Sequence, residues 1–142
     1  MIQDEIKNLM RNYESRVQVS LGVSMPPEMA NRFDNLIAAI PDVSRRDFVL
    51  TGVEIILQTC EKKPDQTNSL LKLGTFESRA KVNRAVKSPP ELDERLTRFV
   101  NSLPGVSRRD VAVAAIDLML TKCERINGGP FPPSKTQSAL LK

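Results

Sequence analysis

The chain has 142 residues, 40% of them hydrophobic and 27% charged, with 21 Lys and Arg against 17 Asp and Glu and a net charge of +4. That balance fits a soluble globular protein, one ordinary domain or two very small ones. No apolar run approaches the roughly 18 residues of a membrane span, and Met-Ile-Gln-Asp-Glu-Ile is acidic where a secretory signal is basic, so a cytoplasmic location is expected.

Residues 1–15 place Ile2, Ile6, Leu9, Met10 and Tyr13 at helical spacing, which predicts a short amphipathic helix. The period then changes. Val17, Val19, Leu21, Val23 and Met25 alternate with Gln18, Ser20, Gly22 and Ser24, the pattern of a strand with one apolar and one polar face. Pro26-Pro27 ends that strand and suits the first turn of a helix. The helix predicted over 27–40 carries Met29, Phe33, Leu36, Ile37 and Ile40 on one face, and Pro41 closes it. Ser44 is the expected N-cap of the next helix, 45–62, with Asp47 three residues on in capping-box position. That helix is apolar on more than one face, so burial on most sides is expected.

Residues 64–78 read as a linker, part of it packed through Leu70, Leu71, Leu73 and Phe76. The whole pattern then returns at an offset of 63 residues. Pro26-Pro27-Glu28-Met29 recurs as Pro89-Pro90-Glu91-Leu92, Val43-Ser44-Arg45-Arg46-Asp47 as Val106-Ser107-Arg108-Arg109-Asp110, and Cys60-Glu61 as Cys123-Glu124. The chain is therefore two copies, 16–63 and 79–126, of a unit too short to bury a core alone, and the two are expected to share one. Gly52 and Ala115 occupy the same position in each copy, where small residues permit close helix approach. Arg84 stands where Leu21 stands, implying a snorkelling side chain at the strand edge or a local bulge. Residues 127–142, rich in Gly and Pro, are expected to form a mobile tail.

The order of strand, proline break, helix, Val-Ser-Arg-Arg-Asp turn and apolar helix resembles the ribbon-helix-helix (MetJ/Arc-type) DNA-binding superfamily. The resemblance covers 16–62 and 79–125. With both halves in one chain, the arrangement is similar to the TraY-type conjugation accessory proteins. The segments 17–21 and 33–37 also resemble the tandem accessory proteins of the T-DNA virulence C operon. The resemblance implies a mainly α fold with a two-stranded antiparallel β-ribbon, a tandem ribbon-helix-helix with a pseudo-twofold axis inside one chain. It implies double-stranded DNA as partner, the ribbon lying in the major groove. The role would be transcription regulation or accessory work in conjugative plasmid or T-DNA transfer, where a relaxase or other DNA-processing protein is the implied partner.

By periodicity the outward ribbon residues are Gln18, Ser20, Gly22 and Ser24 from one strand and Lys81, Asn83, Ala85 and Lys87 from the other. The resemblance assigns base reading to Ser20, Gly22 and Ser24 and to Asn83, Ala85 and Lys87, and with the other polar residues of the outward face the candidate base contacts are Gln18, Ser20, Ser24, Lys81, Asn83 and Lys87. Asn suits adenine and Lys suits guanine. Gly22 and Ala85 depart from a polar centre and offer only backbone approach or contact with a thymine methyl. Ser44, Arg45, Arg46, Ser107, Arg108 and Arg109 stand at helix N-termini, where unpaired N–H groups and the helix dipole favour phosphate. Residues 16–63 hold six basic and six acidic residues and 79–126 hold ten and six. The second half is thus expected to carry more of the electrostatic affinity, with Arg108 and Arg109 outweighing Arg45 and Arg46.

Catalysis is not expected. The chain has no His, the commonest general base and metal ligand. It has no Gly-x-x-x-x-Gly-Lys loop, and Cys60 and Cys123 sit in apolar helical patterns as reduced core thiols. No cofactor, metal or small-molecule substrate is implied. The competing class is a protein-interaction module: an antitoxin whose tail presents Phe131, Leu140 and Leu141 to a toxin, or a ribbon-helix-helix fold without DNA binding.

Overall fold

The computed structural model describes residues 2–76 and 80–133. The chain runs α1 (Ile2–Leu9), β1 (Val19–Met25), α2 (Pro27–Ala39), α3 (Arg45–Lys62), a 3-10 turn at Pro64–Gln66, α4 (Thr67–Leu71), β2 (Val82–Ser88), α5 (Pro90–Asn101) and α6 (Arg108–Asn127). It is mainly helical, with one two-stranded antiparallel sheet. The strands begin at residues 19 and 82, and α3 and α6 at 45 and 108, so both pairs keep the offset of the sequence repeat.

β1 and β2 pair without interruption from Val19 opposite Ser88 to Met25 opposite Val82. Their inner face carries Leu21, Val23, Met25 and Val86 into the core. The register explains why β1 starts later than the alternation suggests. Beyond Ser88 the partner residue is Pro89, which has no N–H to donate, and Pro90 already opens α5. Val17, expected to point inward, is left outside the ladder and 65% exposed.

The core is centred on α3 and α6, which pack more closely with each other than any other two helices do. Phe48, Leu50, Val53, Ile56 and Leu57 of α3 and Val111, Ala115, Ile116, Met119 and Leu120 of α6 are all fully buried. Gly52 marks the closest approach. A Cβ there would lie 2.6 Å from the Ala115 carbonyl oxygen and 2.8 Å from Met119 Cγ. The expected close approach at these equivalent small residues is therefore met.

Two reciprocal ion pairs are among those that tie the copies together. Arg32 of α2 donates from Nε and Nη2 to the Glu124 carboxylate at 3.1 and 2.5 Å. Arg95 of α5 does the same to Glu61, at 3.0 and 2.9 Å. Arg95 and Glu124 are the repeat equivalents of Arg32 and Glu61, so each copy lends one arginine and one carboxylate to the other.

Several expectations change at the periphery. The N-terminal helix stops at Leu9, and residues 10–14 instead lie as a strap along α3. The Arg11 N–H donates to Thr51 Oγ1 at 3.0 Å, the Tyr13 N–H to Asp47 Oδ1 at 3.1 Å and the Tyr13 hydroxyl to Glu54 Oε2 at 3.0 Å. These acceptors replace the helical carbonyls, so the backbone has no need to stay helical. The linker is packed through Leu71, but Leu73 is 45% exposed. Gly128, at φ +82°, closes α6 in the left-handed conformation. The chain then returns to the core through Phe131, 8% exposed, so the first part of the supposed mobile tail is anchored; Leu140 and Leu141 lie outside the described residues.

Two outcomes follow for stability. Gly52→Ala should cost about 1–3 kcal/mol in urea unfolding, because the Cβ meets a backbone carbonyl that cannot move aside. Glu124 is 16% exposed and Glu61 54%, so Arg32→Ala should cost about 1–2 kcal/mol and Arg95→Ala less than about 1 in the same measurement.

Candidate nucleic-acid interface

Each strand turns alternate side chains to one side, and the antiparallel register puts opposite partners on the same side. Ser20 faces Lys87, Gly22 faces Ala85 and Ser24 faces Asn83. Ser20, Gly22, Asn83, Ala85 and Lys87 are exposed, and Ser24 is half-buried. The opposite side of the same strands is core, and among the described residues the polar face is left largely uncovered along the paired length. It bears no carboxylate. Seven residues at strand rise make the face about 23 Å long and two strands wide.

The centre and the ends of this face differ. No heavy atom lies within 4 Å of a Cβ built on Gly22, so the middle is low and open. At one end the Ser24 hydroxyl donates to Asn83 Oδ1, which leaves the Asn83 amide N–H groups directed to other acceptors. Gln18 and Lys81 are exposed but lie just outside the ladder. The Gln18 side-chain amide donates to the Ser15 carbonyl at 3.1 Å. Arg16, exposed at the foot of β1, adds a positive charge that periodicity alone did not single out.

Arg84 is the one charged residue on the inner face. The register shows no bulge at it. Its guanidinium grips Asp34 of α2 through Nε and Nη2, at 3.2 and 2.6 Å, and Nη1 donates to the Asn83 carbonyl at 3.0 Å. The hydrogen bond to Asp34 raises the arginine's pKa above its ordinary value. The edge-reaching alternative is therefore the one realised, with an acidic partner on α2 to receive it.

The N-termini of α3 and α6 both adjoin the strand pair. Arg109 donates from Nε to the Ser24 carbonyl at 2.9 Å, seating the start of α6 at the end of β1. Arg45 lies 3.8 Å from Asp34, the carboxylate that holds Arg84 of β2. Both serines cap as expected: Ser44 Oγ accepts from the Asp47 N–H at 3.0 Å and Ser107 Oγ from the Asp110 N–H at 3.2 Å. The reciprocal capping bond, from the Ser107 N–H to Asp110 Oδ2 at 2.9 Å, forms at α6. At α3 the Asp47 carboxylate is instead turned to the Tyr13 N–H and to Arg46 Nε, at 3.1 and 3.0 Å.

The four arginines are not equivalent. Arg45 is exposed, with 54% of its side chain accessible. Arg46 is held against Asp47. Arg108 is engaged by Asp93, and its Nη1 donates to Thr97 Oγ1 at 2.6 Å. Arg109 also donates to the Phe76 carbonyl, at 3.2 Å. The second-copy arginines thus have internal partners despite the larger positive charge of that copy, because α5 supplies Asp93 and the linker supplies a carbonyl. Partner residues remote in sequence are what the local motif could not disclose.

No family model, curated protein or solved structure matches the chain. Among the described residues, no group of three or more Cys, Asp or Glu side chains is placed to hold a metal ion, and no helix is long and apolar enough to cross a membrane. Both cysteines are free and buried, and burial pushes the Cys123 thiol up to about 11, far from a thiolate at neutral pH.

Removing Arg109 should be felt as lost stability. Arg109→Ala strands the Ser24 and Phe76 carbonyls and should cost about 1.5–3 kcal/mol, whereas Arg45→Ala should stay within about 0.5 kcal/mol, both by urea unfolding.

Proposed function

We propose that the chain is a double-stranded DNA-binding protein that lays its strand pair in the major groove. The observation that carries this reading is the exposed face of β1 and β2, with Ser20, Ser24, Asn83 and Lys87 on one side and a buried apolar side behind them. A two-stranded ribbon fits a groove about 12 Å wide, and this one is polar, free of carboxylates and flanked by two helix N-termini. We read the fold as a tandem ribbon-helix-helix in which a pseudo-twofold axis relates 16–63 to 79–126. The reciprocal Arg32–Glu124 and Arg95–Glu61 pairs support that symmetry. Because the halves differ in sequence, the expected DNA site is asymmetric rather than palindromic.

Within this reading, Asn83 and Lys87 are the base readers. Asn83, whose carbonyl oxygen accepts from Ser24, offers its N–H groups to a purine N7 or a thymine O4. Gly22 and Ala85 let the backbone approach the bases closely at the centre. Lys81, Arg16, Arg45 and the first-turn amides of α3 and α6 approach phosphates, giving affinity without sequence information. Of the arginine motifs, Arg45 is the better phosphate ligand, since it is the most exposed and only approaches Asp34 at 3.8 Å, whereas Arg46, Arg108 and Arg109 are engaged at hydrogen-bond distance. This reverses the weighting expected from net charge alone. A role in transcription regulation or in DNA transfer, with a relaxase as partner, remains part of the proposal and would be read from the DNA sequence selected.

Titrating duplex DNA by gel shift at increasing salt tests the reading. Binding should weaken linearly in log–log form, and Lys81→Ala and Arg45→Ala should each reduce the slope by about one. Asn83→Ala should relax sequence preference at one position, at a cost of about 1–3 kcal/mol. No binding to any duplex at low salt would reject the proposal.

A further inference from the structure

The two halves are not covered alike. Between α5 and the end of α3 lies a groove of about 480 Å³, lined by Cys60, Pro64, Phe99 and Leu103 and edged by Arg95 and Arg98. Phe99 and Leu103 remain half-buried. Their repeat equivalents, Leu36 and Ile40, are 0% and 2% exposed. On that side α1 packs against α6, and the Gln3 side-chain amide reaches the carbonyl of Ala39, the equivalent of Ser102, at 3.5 Å. Ile6 of α1 is fully buried, preceded in sequence by Asp4 and Glu5 and followed by Lys7, which lies 3.8 Å from Asp42. Among the described residues, the molecule therefore carries an occupant on one side, and on the other an open groove built from the same positions.

The charges around the open groove specify its occupant further. Arg98, exposed on the groove's edge, and Lys63, exposed beside the lining residue Pro64, stand where the covered side has Asn35 and Ile126, whereas Lys62 is matched by Arg125 and the lining carboxylate Glu61 is paired with Arg95. The open groove is thus the more basic of the two. We propose that it binds a short amphipathic helix of another protein, with an aliphatic residue filling the space between Phe99 and Leu103 and carboxylates beside it meeting Arg98 and Lys63. An acidic amphipathic helix is the class of ligand that satisfies both the apolar floor and the basic rim. The proposal rests on the two-copy reading of the fold and is independent of DNA binding.

The test uses the isotopically labelled full chain and a synthetic peptide of residues 1–14, the sequence that covers the equivalent side. Amide shifts are followed by NMR, with a scrambled peptide of the same composition as control. Shifts should concentrate at Cys60, Phe99 and Leu103, and Arg98→Glu, which alters an exposed side chain and leaves the core intact, should weaken binding about fivefold or more. Leu103→Glu should abolish it. An equal response to the scrambled peptide, no response at millimolar peptide, or shifts confined to Leu36, Ile40 and Cys123 would overturn the proposal, the last by showing that the peptide merely replaces α1. A parallel titration with duplex DNA should move Ser20, Asn83 and Lys87 instead. Its failure would count against the DNA reading and leave the groove result standing.

Discussion

Helices α3 and α6 meet at backbone distance because Gly52 brings no side chain to the crossing. A unit of fewer than 50 residues buries too little apolar surface to be stable alone. Here each copy's most apolar helix is covered largely by its counterpart, so neither can be removed without opening the other. The strand pair depends on that contact. β1 packs on α6 and β2 on α3, and the sheet has only two strands to hold itself. The side chains turned outward from it owe their common direction to a ladder supported from beneath by both helices.

Polar contacts then fix the parts that packing leaves loose. Arg32 and Arg95 cross between copies, Arg84 anchors β2 to α2, and Arg109 ties β1 and the linker to α6. A guanidinium suits this work because its rigid fork matches a carboxylate and its charge does not titrate. The carboxylates do titrate. Hydrogen bonding to Arg95 holds Glu61 below its ordinary value. Its contribution is therefore present above the unfolded carboxylate range and fades as pH falls through the lowered value. Being exposed, Glu61 contributes little in absolute terms.

The main elements were legible in the sequence because each has a strong local cause. Strict alternation, a double proline, Ser at N-cap and near-continuous apolar residues each admit few conformations, and the bounds of α3 agree with expectation. The repeat added a long-range inference, that two equivalent strands lie side by side, and the register bears this out. What stayed hidden was set by partners far along the chain. Asp34 explains Arg84, Asp93 explains Arg108, and the acceptors on α3 explain why the segment after Leu9 leaves the helix. Glycine and proline after Asn127 suggested freedom, yet residues 128–131 turn back, with Asn127 donating to the Gly129 carbonyl and Phe131 buried. The outward face of the strands was legible, whereas the engagement of its flanking arginines was not.

Joining β1 and β2 in one polypeptide has a kinetic and evolutionary consequence. Two-chain assemblies dissolve on dilution, since their stability is inseparable from protomer concentration. A face made by residues 19–25 and 82–88 of a single molecule survives at any dilution. Freed from the demand that one sequence serve both sides, each half can also differ independently, as the equivalent pairs Ser20 and Asn83, Gly22 and Ala85, and Ser24 and Lys87 illustrate.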